Sequence, residues 1–358
     1  MSSEAATAPR GDPDNAVDIA RRSALRLAFG VTASFAAVEL LGWDATFVAP
    51  LLAANMLAAL QRPPGLAQGL VILVLIAFST GAVLVLTSAL MSKPLVLLLA
   101  LTFTIYASFY AHQRGAPSLA TLLPQISAVT IPVIAILSPG GAGAFAGVLV
   151  KSGIAAVLTV WMAFAVFPAP AGAGHTVSGA SETDYAIEPR FAAWRALLDT
   201  LVLFPLLAWY VLDASTVSVV VLITIVSLLR QHDPQQGLQA AFGKISGTLI
   251  GGIMAAVVYE LVLLGHSAQF FIAACLASCL FFAGRIVTAG DRAPVYLAAF
   301  TTFILLLGIG LTSLPGGSGE AFVSRLINVV LASAYTIGGV SLLERWRTPA
   351  PVLPGQRL

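Results

Sequence analysis

Lys151 and Arg325 are the residues of this sequence with the clearest chemical potential, because each sets a cation inside a long apolar stretch. A charge near mid-bilayer costs about 2.5–3.5 kcal/mol on insertion scales, so two of them invite a functional reason. Two cations near a central axis would attract an anion, and an arginine can hold a carboxylate through two parallel hydrogen bonds. The plainer reading is that each side chain snorkels to the interface or pairs with an acid. Glu39 and Glu260, near the outer ends of their stretches, are placed to neutralise them or to carry protons in a coupled cycle. Asn55 and Asn328 add neutral hydrogen-bonding groups to the same translocation set. Asp199 lies one turn from Arg195, the spacing of an ordinary helix pair. Glu320 sits where a carboxylate favours a helix start.

Other chemistry finds no support. There is no GxSxG, P-loop or HExxH string, so an enzyme is not expected. His112, His175, His232 and His266 are scattered and lack metal-ligand spacing, so neither a metal nor a cofactor is called for. Cys275 and Cys279, at i and i+4, read as small apolar packing residues. No pattern for binding nucleic acid is present.

The elements that must position these groups are transmembrane helices. The 358 residues are 58% hydrophobic and only 9% charged, with a mean hydropathy of +0.94. A soluble domain carries about 25% charged residues, so this chain could not clothe a water-facing surface. Backbone polar groups in lipid must be satisfied within the segment, which selects helices, and the alternation of a barrel is missing. Residues 1–22 read as a disordered cytoplasmic N-terminus without a cleavable leader. Residues 23–167 carry six spans, 168–190 form a Pro/Gly/Ala/Ser linker, 191–345 carry six more, and 346–358 form a tail. With the N-terminus inside, fifteen of the eighteen Lys and Arg residues fall at inner ends or inner loops. Both termini are therefore expected in the cytoplasm.

The two sets of spans look alike. Arg26 precedes Asp44 by 18 residues, as Arg195 precedes Asp213. Arg62 precedes Gly69 by 7, as Arg230 precedes Gly237. Pro139-Gly140-Gly141 stands before span six, and Pro315-Gly316-Gly317 before span twelve. An even number of spans per half makes this a parallel repeat about an axis normal to the membrane. Spans two (46–60) and eight (215–229) are both short, and short segments at matching places point to a transport site or to a locally thinned bilayer. Gly243, Gly247 and Gly251 recur every fourth residue on span nine, a pattern that permits close helix packing.

Particular strings carry a family resemblance. Ala24-Leu25-Arg26-Leu27-Ala28-Phe29-Gly30 opens span one, Gly42-Trp43 closes it, and Arg62-Pro63-Pro64 follows span two. Lys244-Ile245-Ser246-Gly247-Thr248-Leu249-Ile250-Gly251-Gly252 supplies a Gly-Thr-x-x-Gly helix. In these the chain resembles the fusaric-acid-resistance/aromatic-acid-exporter superfamily, in a compact bacterial branch, over residues 22 to 345. The resemblance implies two six-helix modules, export of small and often aromatic carboxylic acids across a bacterial inner membrane, and a periplasmic adaptor as partner. It also implies a basic residue in the last span, where Arg325 stands. Larger members carry soluble domains after each module; this chain has only a short linker and tail there, and a homo-oligomer could supply some of that mass.

The expectation is thus an all-α polytopic protein of about twelve helices. It would act as an efflux permease for organic anions, by alternating access between two repeats. A passive organic-anion channel and a non-transporting membrane scaffold are the alternatives, the first separable by proton dependence of flux, the second by indifference to neutralising Lys151 and Arg325.

Overall fold

The computed structural model describes residues 13–43, 46–60, 62–116, 118–138, 140–168, 189–212, 219–230, 237–265, 267–311 and 319–344. Among these residues there are twelve α-helices, one short 3₁₀ turn at Gly290–Arg292, and no strand. The helices are α1 (Pro13–Leu40), α2 (Val48–Ala59), α3 (Leu66–Leu90), α4 (Pro94–Gln113), α5 (Ser118–Leu137) and α6 (Gly141–Val166), then α7 (Pro189–Leu212), α8 (Val219–Arg230), α9 (Gly237–Gly265), α10 (Ala268–Thr288), α11 (Ala293–Leu311) and α12 (Gly319–Glu344). The expected linker and tail fall almost wholly outside the described residues.

Eight helices are long and apolar enough to cross a membrane, and α2, α5, α8 and α12 contribute shorter apolar stretches. The outside of the bundle is as oily as its inside. Leu66, Phe78, Val85 and Phe103 stand exposed along α3 and α4, while Leu101, Ile105 and Phe109 on the opposite face of α4 are buried. A soluble protein does not tolerate so large an apolar surface. This is a multi-pass helical membrane protein.

Two boundaries differ from expectation. Residues 13–22, read as disordered, are the first turns of α1. Pro13 suits the first helical position, where no N–H is needed. Likewise α7 begins at Pro189, inside the stretch read as linker, for the same proline reason.

The packing pattern has a regularity of its own. α1 packs on α10, and α7 on α4. α2 packs on α11, and α8 on α5. α3 lies against α5 and α6, and α9 against α11 and α12. Each contact is matched by one shifted six helices along the chain, and the first two pairs join the first six helices to the last six. The four helices α2, α5, α8 and α11 meet in the middle.

Close approaches fix these contacts. A Cβ on Gly247 or Gly251 of α9 would collide with the carbonyl oxygen of Val295 or Ala299 on α11. Trp161 on α6 donates its indole N–H to the Pro64 carbonyl at 2.8 Å and covers Gly69, holding the turn before α3. α2 buries nearly every residue and has no polar face, as a helix at the centre of a bundle must.

Candidate functional site

The middle of the bundle changes character from one end to the other. At the end where α2 starts and α11 finishes, the Thr46 hydroxyl donates to the Gly308 carbonyl. Phe47 lies so close that a Cβ on Gly308 would run into its backbone at 2.6 Å. Further in, Val48, Leu51 and Leu52 of α2, Leu123 and Ile126 of α5, and Ile223 of α8 leave a void of only about 10 Å³. That is about the space of one water molecule, with no polar group to hold it. The packing there leaves no room for a solute. Gly308→Val is therefore expected to lower the thermal unfolding temperature of the purified protein, at an overpacking cost of about 1–3 kcal/mol. An unchanged melting curve would show that this seal is not tight.

The other end of the same seam is polar. Arg230, the last residue of α8, donates from one terminal nitrogen to Thr121 Oγ1 at 2.9 Å and Gln125 Oε1 at 3.0 Å, both on α5. The i, i+4 spacing of Thr121 and Gln125 sets both on one face. Pro124 between them removes a backbone N–H from α5, as Pro132 does two turns on. Gln125 is fully buried, and its amide nitrogen has no partner among the described residues. Beside this pair, Gln113 of α4 donates to Asp199 Oδ2 of α7 at 3.4 Å. Asp199 is 2% exposed. His112 links the two pairs: its ring hydrogen-bonds the main chain of Arg230 and lies within electrostatic reach of Arg195. Its Nδ1 is buried without a partner. Arg195, Asp199 and Arg230 all hold further interactions.

What the cluster offers chemically is a guanidinium, Arg230, held by two neutral oxygens. A buried amide donor is left over, and an unsatisfied buried donor costs about 1–3 kcal/mol until something accepts from it. The ligands come from both sides of the seam, α4 and α5 on one and α7 and α8 on the other. The corresponding seam of α1, α2, α10 and α11 is aromatic instead. Phe35 meets Phe271 edge-on at 6.4 Å, and Phe282 packs against Phe300 and Phe303 at 5.8 and 5.5 Å.

The residues singled out from the sequence fall elsewhere. Lys151 is exposed on α6, on one stripe with Gly147 and Ile154, and turns out of the bundle. It lies about 15 Å along the helix from Gly141. Arg325 is on α12, and Gly243 on α9, but their side chains lie outside the described residues. Asn55 is half-buried and donates to the Leu51 carbonyl of its own helix at 2.8 Å. Asn328 is half-buried on α12. Glu39 and Glu260 are exposed at the ends of α1 and α9, and among the described residues neither forms an ion pair with Lys151. Among the described residues no hydrogen bond or ion pair joins Lys151, Asn55, Asn328, Glu39 or Glu260 to another of the set. The structure joins Arg230 to Thr121 and Gln125, and Gln113 to Asp199. Their signal in the sequence was modest: a helix-terminal Arg, an i, i+4 polar pair flanking a proline, and an Asp inside an apolar run.

Two family descriptions meet this chain, one in each set of six helices. Residues 201–338 match the family described as fusaric acid resistance protein-like. The second half of the chain is thus similar to that family. Residues 23–163 match a family described as a protein of unknown function, DUF2955. The fusaric acid resistance-like match runs from α7 into α12 and so includes Arg230, while Thr121 and Gln125 lie within the other. Comparison with curated proteins and with solved structures gave no match.

Proposed function

We propose that this chain is an efflux permease of a bacterial inner membrane that moves small organic acids, aromatic carboxylates foremost, by alternating access between two six-helix repeats. One observation carries the reading: Arg230 of the second half is held by Thr121 and Gln125 of the first, where the Gln125 amide nitrogen is buried without a partner among the described residues. A carboxylate drawn to it would sit between the halves, so its arrival and departure would be coupled to how they meet. The repeat reading rests on contacts that recur at a shift of six helices and on the paired landmarks of the sequence. The Lys and Arg distribution puts the polar end of the seam on the cytoplasmic side, the side from which an exporter loads. The seal at Thr46 and Gly308 would then be the periplasmic gate. A periplasmic adaptor would dock on that side, and a second copy of the chain is a further expected partner.

Uptake of labelled benzoate and its hydroxylated relatives into inside-out vesicles tests this, with and without an imposed proton gradient. Accumulation that needs the gradient is the expected result. Flux that only equilibrates, gradient or none, would make the protein a channel. No flux from any acid of the panel, with folded protein present, would reject the assignment.

A further inference from the structure

One cation is buried more deeply than Arg230, and nothing so far accounts for it. Arg26 lies on α1 and is 7% exposed. Its guanidinium carbon sits 4.2 Å from the centroid of the Phe164 ring on α6. Its Nε is buried without a hydrogen bond, and among the described residues the side chain has no ion-pair partner. Phe29 and Phe167 meet edge-on 5.7 Å apart one turn away. The side chain as a whole keeps a small accessible area.

The comparison with the other half is informative. Arg26 of α1 corresponds to Arg195 of α7, as judged from the 18-residue interval from Arg26 to Asp44 and from Arg195 to Asp213. In α7 the residue four positions on is Asp199, a carboxylate within the protein. In α1 that position is Gly30, and a Cβ there would strike Leu57 and meet Ala163 at 3.2 Å. The close packing of α1 on α2 and α6 leaves little room for a resident acid. The first half keeps the cation and lacks its anion.

We infer that Arg26, stacked on Phe164, is an anion-binding site that takes a carboxylate or phosphate group from outside the chain. An arginine presents a planar fork suited to either, and the ring beneath it takes up one face while leaving the edge free to donate. Retaining an unpaired buried cation lowers stability, which is understandable if an external anion completes it. The shared chemistry has two sources: an organic acid, or the headgroup of an anionic lipid. The site is separate from the Arg230 cluster and stands whether or not that cluster transports.

The test uses the full chain in nanodiscs of neutral phosphatidylcholine. Binding of labelled benzoate is measured for the wild type, Arg26→Gln and Arg230→Ala. Retention of phosphatidylglycerol is measured in parallel by native mass spectrometry. If the source is an organic acid, Arg26→Gln weakens benzoate binding by about tenfold or more while Arg230→Ala leaves a residual site. If it is lipid, Arg26→Gln loses a retained phosphatidylglycerol and binds benzoate as the wild type does. With neither anion present, Arg26→Gln should melt no lower than the wild type. A variant that melts lower and binds both probes normally would make Arg26 a structural cation, and the proposal would be wrong. Should Arg26→Gln fail to fold, Phe164→Leu decides: several-fold weaker binding of either probe supports the site, and unchanged binding of both overturns it.

Discussion

Gly251→Leu is expected to leave little folded protein. The α9–α11 contact is among the most intimate in the bundle, and Gly251 is where the backbones come closest. A Cβ there would overlap the Ala299 carbonyl oxygen and stand 3.0 Å from its Cα. The obstacle is main chain, which cannot turn aside as a rotamer can. Inserting bulk into a packed core costs about 1–3 kcal/mol, and more where nothing yields. Here α9 must separate from α11, whose other face forms the middle of the protein, with Phe303, Ile304 and Leu307 fully buried. The loss should appear as aggregated material on size exclusion in detergent, with a low unfolding temperature for what remains folded. Gly143→Leu is the control, because Gly143 on α6 has open space around it and should be near neutral. Equal behaviour of the two variants would mean that the α9–α11 approach does not hold the bundle together.

Arg230→Gln should abolish transport while leaving the protein folded. The side chain is shared between Thr121 and Gln125, so its removal takes away the charge and frees two groups on α5 together. Truncating one member of a buried charged pair costs about 2–5 kcal/mol in a binding event, which corresponds to a loss of flux of about 30-fold or more at low substrate. Arg230→Lys keeps the charge but cannot span both oxygens with a rigid fork, and should retain partial flux at a raised KM. Gln125→Leu combined with Arg230→Gln should be scarcely worse than Arg230→Gln alone, because the two residues act as one unit. Additive losses, or normal flux in folded Arg230→Gln, would move the substrate site away from this seam.

The contrast between Lys151 and Arg230 shows where legibility ended. Both are cations bordering apolar sequence, and Lys151 looks the more anomalous because it lies inside a span while Arg230 ends one. In water, an amphipathic stripe would tell which face of each helix is inward. In lipid that signal fades, since the face toward the tails is as apolar as the face toward other helices. α3 shows this directly: Phe78 is 72% exposed and Ile76 is 2% exposed, two residues apart in one unbroken apolar run. The orientation of Lys151 on α6 was thus not written in its neighbours.

What the sequence by itself determined was the class and the layout. Composition excluded a soluble fold, and the apolar runs located the helices. The matched shortness of the second and eighth marked α2 and α8, which both line the small void at the centre. The glycines at 247 and 251 announced a close contact, though not its partner. The tertiary structure alone decided which helices cross between the halves, that α1 sits on α10 and α7 on α4, and so which polar groups are buried together. Arg230, Thr121 and Gln125 are separated by 109 and 105 residues, and no local pattern can specify contacts at that range. The physical reason is that hydropathy is a property of each segment, whereas a buried charge is tolerated only by the groups that packing brings to it.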